Sequence, residues 1–267
     1  MDYENIDYSI MDEDELYECG CDFLDDEDID NAIKCITLAA EKGSVEAQFH
    51  LAELYHYGQV VETDFEESLK WYKLAAENGD SLSQRQLAEI YLDGDGVEEN
   101  LEEALKWYKL AAERGDRVAI YMLGHMYYHG DKVEQDYKEA YYWFDKDGFR
   151  DLPYYICADM YFYVDKNYPT AFRLYHNALE QGVEIAAYKI GEMYYYGLGT
   201  DQDYSKAFEF LKYYEGDVDP EDFDFDFAPP EVNRMLGEMY KNGWGVEKNT
   251  KIAECFLEAA KKCEDNK

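Results

Sequence analysis

The sequence predicts an all-α protein built as a superhelical solenoid of stacked helical hairpins, and three observations predict it. Leu51, Leu87 and Leu123 stand 36 residues apart, and so do Trp71, Trp107 and Trp143. Two independent anchors therefore keep one period, which marks a repeat architecture. Between the anchors the text recurs as LAELYHYG from Leu51, LAEIYLDG from Leu87, LGHMYYHG from Leu123, IGEMYYYG from Ile190 and LGEMYKNG from Leu236, with CADMYFYV from Cys157 as a degenerate copy. A single hairpin cannot bury its apolar face, whereas stacked copies bury a continuous core.

The chain opens with an acidic arm over residues 1–10, and a single solenoid is expected over 11–267. A degenerate hairpin is expected over 11–43, followed by repeats at about 44–79, 80–115, 116–151, 152–182 and 183–214. An acidic insert at 215–230 separates these from a last repeat at 231–267. In each repeat a first helix, A, is expected where apolar residues such as Ala47, Leu51, Leu54 and Tyr55 fall on one face. A glycine then stops it, often in a Gly-x-Gly-Val loop, as in GDGVEEN from Gly94 and GWGVEKN from Gly243. The second helix, B, opens on Asp64, Asn100, Asp136, Asn167, Asp203 or Asn249, whose side chains can accept from first-turn amides. Glu67, Glu103 and Glu139, three residues on, suggest capping boxes. Helix B runs through SLKWYKLAAENG and ALKWYKLAAERG, where paired alanines allow close packing and Gly79 or Gly115 ends the element. The fourth repeat is shortened in its loop, YVDKNYPTA, and the superhelix is expected to be irregular at the first and fourth units. Asp147-Gly148 replaces Ala-Ala in the third repeat, so its B helix should stop early, ahead of Pro153.

The pattern L-G-x-x-Y-x-x-G-x-G-V, then D-x-x-K-A, then W-Y-x-x-A-A-x-x-G resembles the Sel-one-like repeat family, relatives of the tetratricopeptide repeats. The resemblance covers nearly the whole chain, and its best copies are residues 44–79 and 80–115. It implies a right-handed α/α solenoid that acts as an adaptor or scaffold, and it implies no catalytic residues. A cysteine-rich branch of that family closes each hairpin with a disulfide, a pairing this sequence lacks.

A formal charge of −36 on 267 residues repels phosphate backbones and anionic headgroups, which disfavours nucleic-acid and membrane-surface roles. The same charge favours solubility and fast association with a basic protein or peptide. It is unevenly placed. Residues 1–30 carry fourteen acids and no Lys or Arg, and Glu215 to Glu231 carry eight and none; together they hold 22 of the 36 net charges. The opening residues lack the basic region and apolar run of a secretory signal, and no stretch reaches membrane-spanning length, so a cytoplasmic chain is expected. Six cysteines at no repeated spacing read as reduced thiols, mostly in the core. No cofactor or metal site is signalled: His125 and His129 form an i, i+4 pair without the glutamate of a zinc-protease motif, and Cys19-x-Cys21 lies among acids that raise thiol pKa values. With no catalytic constellation, a non-enzyme is expected.

Turning helix A by about 100° per residue puts three stripes opposite Leu51, Leu54 and Tyr55. One is Glu53, Glu89, His125, Asp159, Glu192 and Glu238; the next is Phe49, Arg85, Tyr121, Tyr155, Tyr188 and Arg234; the third is His56, Leu92, Tyr128, Phe162, Tyr195 and Lys241. These stripes predict a concave aromatic and acidic groove for a basic, partly extended segment, with carboxylates pairing its Lys or Arg and tyrosines stacking on guanidinium groups. The alternative for the tyrosines is packing between adjacent A helices. Phe223, Phe225 and Phe227 alternate with Asp222, Asp224 and Asp226, and they either pack on a neighbouring hairpin or form an accessory clamp. A calcium loop there would lack the glycine and terminal glutamate that such loops use. The expected function is a scaffold or adaptor. A dedicated inhibitor or immunity protein that neutralises a basic toxin or nuclease, possibly by mimicking nucleic acid, is the alternative, and an enzyme is a remote one.

Overall fold

The computed structural model describes residues 7–58, 60–215 and 229–265, and the regular elements among them are all helical. In order they are α1 (Glu13–Asp25), α2 (Ile29–Lys42), α3 (Val45–Tyr57), α4 (Phe65–Glu77), α5 (Ser81–Asp93), α6 (Leu101–Glu113), α7 (Arg117–His129) and α8 (Tyr137–Lys146). Then come α9 (Tyr154–Asp159) with a π-helical turn at Met160–Val164, α10 (Tyr168–Glu180), α11 (Ile185–Tyr196), α12 (Tyr204–Glu215), α13 (Pro230–Asn242) and α14 (Thr250–Asp265). Odd-numbered helices are the A members of the hairpins and even-numbered ones the B members. The chain divides into two compact units, Met1–Gly148 with α1 to α8 and Phe149–Lys267 with α9 to α14. Within each, the helices pack chiefly on their neighbours in sequence, so the fold is the expected all-α repeat solenoid of hairpins.

The periodic residues make the core. Leu51, Leu87 and Leu123 have no exposed surface, and Trp71, Trp107 and Trp143 are buried beside the alanine pairs Ala75/Ala76 and Ala111/Ala112. Each buried leucine contributes about 1.5–3 kcal/mol, so the repeat period and the hydrophobic stabilisation are one fact. The residue after the leucine must be small because helix B crosses there. Ala52 and Ala88 fill the position in α3 and α5, while a Cβ on Gly124 in α7 would fall 2.3 Å from the Phe144 ring.

Glycine is required where the A helix ends. Gly94 caps α5 at φ 72°, and the second glycine of that loop, Gly96, also at φ 72°, lies so close to Phe65 that a Cβ would come within 2.5 Å of its Cβ. The loop of one repeat therefore rests on the start of helix B in the repeat before it.

Asp64, Asn100, Asp136, Asn167, Asp203 and Asn249 all accept hydrogen bonds from first-turn amides, as expected. The capping boxes do not follow at Glu67 and Glu103, whose carboxylates pair instead with Lys70 and Lys106 at 2.9 and 3.1 Å. The physical reason is that the cap amide is already used. Asp64 donates to the carbonyl of Tyr55 at 2.9 Å, Asn100 to Tyr91 at 2.8 Å, Asp136 to Tyr127 at 2.8 Å and Asn249 to Tyr240 at 2.9 Å. That bond ties the start of each B helix to its own A helix. A true capping box forms at α1, between Asp12 and Glu15.

The third B helix does stop early: α8 has 10 residues where α4 and α6 have 13. In the fourth repeat, Val164 stands where other A helices meet glycine, and the helix ends in the π turn, with Asp165 donating to the Met160 carbonyl at 3.3 Å. The first hairpin consists of the helices α1 and α2. The described cysteines are free thiols, but of these only Cys35 and Cys157 are buried, so the cysteines are not mostly core residues. They lie on helix faces that only partly meet a neighbour.

Candidate functional site

In the first unit the A face is carried by α3, α5 and α7. Phe49 is half-buried, its ring tilted on the fully buried Tyr72 with centroids 5.9 Å apart. Glu53 is half-buried one turn on, and burial pushes its carboxyl above the usual range while the charge of Arg85 partly offsets this. Arg85 itself is held by Glu89 at 3.0 Å and Asp116 at 3.4 Å. Tyr121 is 45 % exposed and lies over His125, ring centroids 4.1 Å apart, with His129 at 5.3 Å from His125. Burial, then the neighbouring His129, holds His125 below the ordinary imidazole range. Beneath the face, the hydroxyls of Tyr72 and Tyr108 are buried and have no hydrogen-bond partner among the described residues.

In the second unit a cation site of the expected kind exists, and the chain fills it itself. Lys189 on α11 lies 5.2 Å from the Phe162 ring centre, 4.9 Å from that of Tyr163 and 4.7 Å from that of Tyr188, and it pairs with Glu192 at 2.9 Å. It also donates to the Tyr163 hydroxyl at 2.5 Å. The carboxylate pairing is of the kind expected for a partner's cation, while the rings meet an ammonium where stacking on guanidinium groups was expected. Asp159 accepts from Tyr175 at 2.5 Å, and Glu238 accepts from Lys241 at 3.4 Å and from Asn242 at 3.1 Å. Tyr155 is half-buried. Tyr195 is half-buried too, in T-shaped contact with Tyr196 and Tyr204, and burial pushes its phenol up to about 12.

The expectation that three continuous stripes face solvent therefore needs correcting. Tyr128, Phe162 and Tyr188 are 7, 7 and 8 % exposed. The third stripe is a structural pairing: His56, Tyr128, Phe162 and Tyr195 meet Phe65, Tyr137, Tyr168 and Tyr204, each the first residue of the following B helix, at 5.4–5.6 Å. Rotation about the A axis cannot reveal this, because the covering ring arrives from the next element. Phe223, Phe225 and Phe227 lie outside the described residues. Sequence reasoning missed Lys189, whose one signal was a lone lysine in the apolar run AAYKIGEMY, and it missed the exposed Tyr57, Tyr196 and Trp244.

The burial pattern and paired alanines recur with the repeat text, and a family profile described as Sel1 repeat matches residues 25–44, 45–80, 81–116, 117–146, 158–183, 185–213 and 230–263. The chain belongs to the Sel1 repeat family. Sel1 repeats generally serve as non-catalytic scaffolds for protein–protein interaction. Among curated relatives, the ERAD-associated E3 ubiquitin-protein ligase component HRD3B of Arabidopsis thaliana is 31 % identical over 118 residues, 43 % of this chain and 17 % of that protein. The chain thus spans only a small part of that relative's length. Among solved structures, a Sel1 repeat protein from Oxalobacter formigenes matches with a TM-score of 0.58 at 24 % identity, over 96 % of this chain and 84 % of that one. The protective antigen c5321 of uropathogenic Escherichia coli matches with a TM-score of 0.55 at 24 % identity, over 97 % of this chain and 57 % of its own. Both likenesses concern the Sel1 solenoid fold. Among the described residues no helix is long and apolar enough to cross a membrane, and no group of three or more His, Cys, Asp or Glu is placed to hold a metal ion.

Proposed function

We propose that the protein is a non-catalytic scaffold that holds a basic, partly extended protein segment on the A face of its first unit. The observation that carries this reading is the exposed Tyr121 ring on the same face as Phe49, Glu53 and the Arg85 ion pairs. An accessible aromatic beside half-buried carboxylates offers a basic chain both an anchor and a charge to answer. The second unit is assigned a smaller share, since Lys189 occupies its cation site.

The test is fluorescence anisotropy of a labelled Lys/Arg-rich peptide against the full chain and Tyr121→Ala. Affinity should fall several-fold with helicity by circular dichroism unchanged. Equal affinity of the two proteins would exclude the face.

The concentration of 22 of the 36 net charges in residues 1–30 and 215–231 favours the second reading, a charge-mimicking inhibitor of a basic toxin or nuclease. Ionic strength separates them. A charge mimic loses affinity steeply as salt rises, whereas an aromatic-anchored scaffold keeps most of it.

A further inference from the structure

Two cysteines of the first hairpin stand where the other repeats carry their periodic anchors. A Cβ on Gly20 would fall 2.5 Å from the Ile36 side chain, just as one on Gly124 would meet the Phe144 ring, so α1 and α2 cross in the same register as α7 and α8. The residues immediately before these contacts are Leu123 and Trp143 in the third repeat, and Cys19 and Cys35 in the first hairpin. At the crossings of Gly191 on Leu211 and Gly237 on Leu257 they are Ile190 with Phe210 and Leu236 with Phe256. No other hairpin among the described residues has a cysteine on both of its helices.

The two thiols are neighbours in space. Cys35 donates to the Cys19 sulfur at 4.0 Å. One residue away the backbones themselves come close, since the same Cβ on Gly20 would lie 3.1 Å from the Ile36 nitrogen and 3.3 Å from the Ala32 carbonyl oxygen. A disulfide needs Cα atoms within about 7 Å of each other, a separation that packed helices reach only at such a crossing. Cys35 is fully buried in a small cluster with Phe23 and Ala32, and Cys19 is half-buried at its edge. With sulfur side chains in place of a leucine and a tryptophan, this hairpin buries less apolar surface than its counterparts and gains most from a covalent tie.

We propose that Cys19 and Cys35 are an oxidative modification site, a dithiol that hydrogen peroxide converts into a reversible disulfide joining α1 to α2. Cys19, the accessible thiol, attacks the peroxide as its thiolate. An S–O bond forms, the O–O bond breaks, and the second oxygen leaves as hydroxide, which takes up the thiol proton and becomes water. Cys35 then attacks the sulfenic acid: the S–S bond forms, the S–O bond breaks, and the departing oxygen leaves as water with the Cys35 proton. The two sulfurs together lose two electrons, and the peroxide is reduced to two waters. Burial, and then the neighbouring Cys19, push the Cys35 thiol above its ordinary range, which leaves the first attack to Cys19.

The full chain, reduced and then treated with hydrogen peroxide, is analysed by peptide mass mapping and by hydrogen exchange. One cross-linked peptide should join Cys19 to Cys35, lighter by two hydrogens than its parts and reopened by dithiothreitol. Amides of α1 and α2 should exchange about tenfold or more slowly in the oxidised form, because the bond closes a loop of about 15 residues. Cys19→Ala and Cys35→Ala should both abolish the cross-link. Cys21→Ser, which leaves both sulfurs in place, should retain it, so the test does not depend on how well the other two variants fold. Oxidation of Cys19 to sulfinic acid with Cys35 left as a thiol, a bond from Cys21 in place of Cys19, or a cross-link only between two molecules would overturn the site. Equal exchange in the two forms would overturn it as well, since the sulfurs would then meet only in an opened hairpin.

Discussion

Lys189 and Tyr121 show how two residues on equivalent helices take opposite roles. Lys189 is largely enclosed, with 12 % of its side chain exposed, and Lys189→Ala would leave the carboxylate of Glu192 without its cation. Breaking such a partly buried pair is expected to cost about 3 kcal/mol, read as a lower urea midpoint. Tyr188→Ala, which removes a ring that is 8 % exposed, should likewise cost about 3–5 kcal/mol. It therefore reports packing, whereas Tyr121→Ala should stay within about 0.5 kcal/mol of the parent and can report binding. Histidine adds a pH dependence. Burial lowers the pKa of His50, His125 and His176 in the fold, so each takes up its proton more readily when unfolded. Stability should be level above the unfolded imidazole value of about 6.5 and fall as pH drops below it, until the folded-state values are passed. Melting curves across that range should show the fall, and His125→Gln should reduce it.

At the scale of the element, the hairpins are joined by buried hydrogen bonds whose completeness differs between repeats. Gln48 donates to the Ala40 carbonyl at 3.0 Å and accepts from Asn78 at 3.1 Å. Gln84, 36 residues on, donates to Ala76 at 2.9 Å, but its buried Oε1 has no donor, because Arg114 stands where the first repeat has Asn78. Arg114→Asn should supply that donor and raise stability by about 1 kcal/mol, visible as a higher melting midpoint. No change, or a loss, would show that the guanidinium resting on Gly79 matters more. Gly124→Ala should act in the other direction. Its Cβ would meet the Phe144 ring at 2.3 Å, an overpacking expected to cost about 1–3 kcal/mol and to be relieved by Phe144→Leu.

For the whole molecule the relevant quantity is charge. Most of the net −36 lies in two short segments, and neutralising the acids of residues 215–231 with Asn and Gln would remove the charge of one of them. It should slow association with a basic partner at low salt and make little difference at high salt, because steering acts over a Debye length. Stopped-flow association rates at two ionic strengths decide this, and an unchanged rate at low salt would remove the segment from the encounter.

The fold was legible because the repeat makes each determinant local: Leu51, Leu87 and Leu123 sit at a fixed period, Gly94 ends a helix through its own backbone, and Asp64 caps the next. Those features depend on residues a few positions apart, and the sequence alone determined the hairpins, their order and the early end of α8. The candidate site was legible only in part. Helical rotation placed Phe49, Glu53, Tyr121, Tyr128, Phe162 and Tyr188 on one side of the A helices, but it left exposure and packing open as alternatives for the tyrosines, because rotation about one axis says nothing of the ring or helix that covers it. Tertiary structure alone decided that Lys189 answers the second unit's rings and that Arg85 answers Glu89 and Asp116. Burial and pairing are properties of several elements meeting, and no single stretch of sequence carries them.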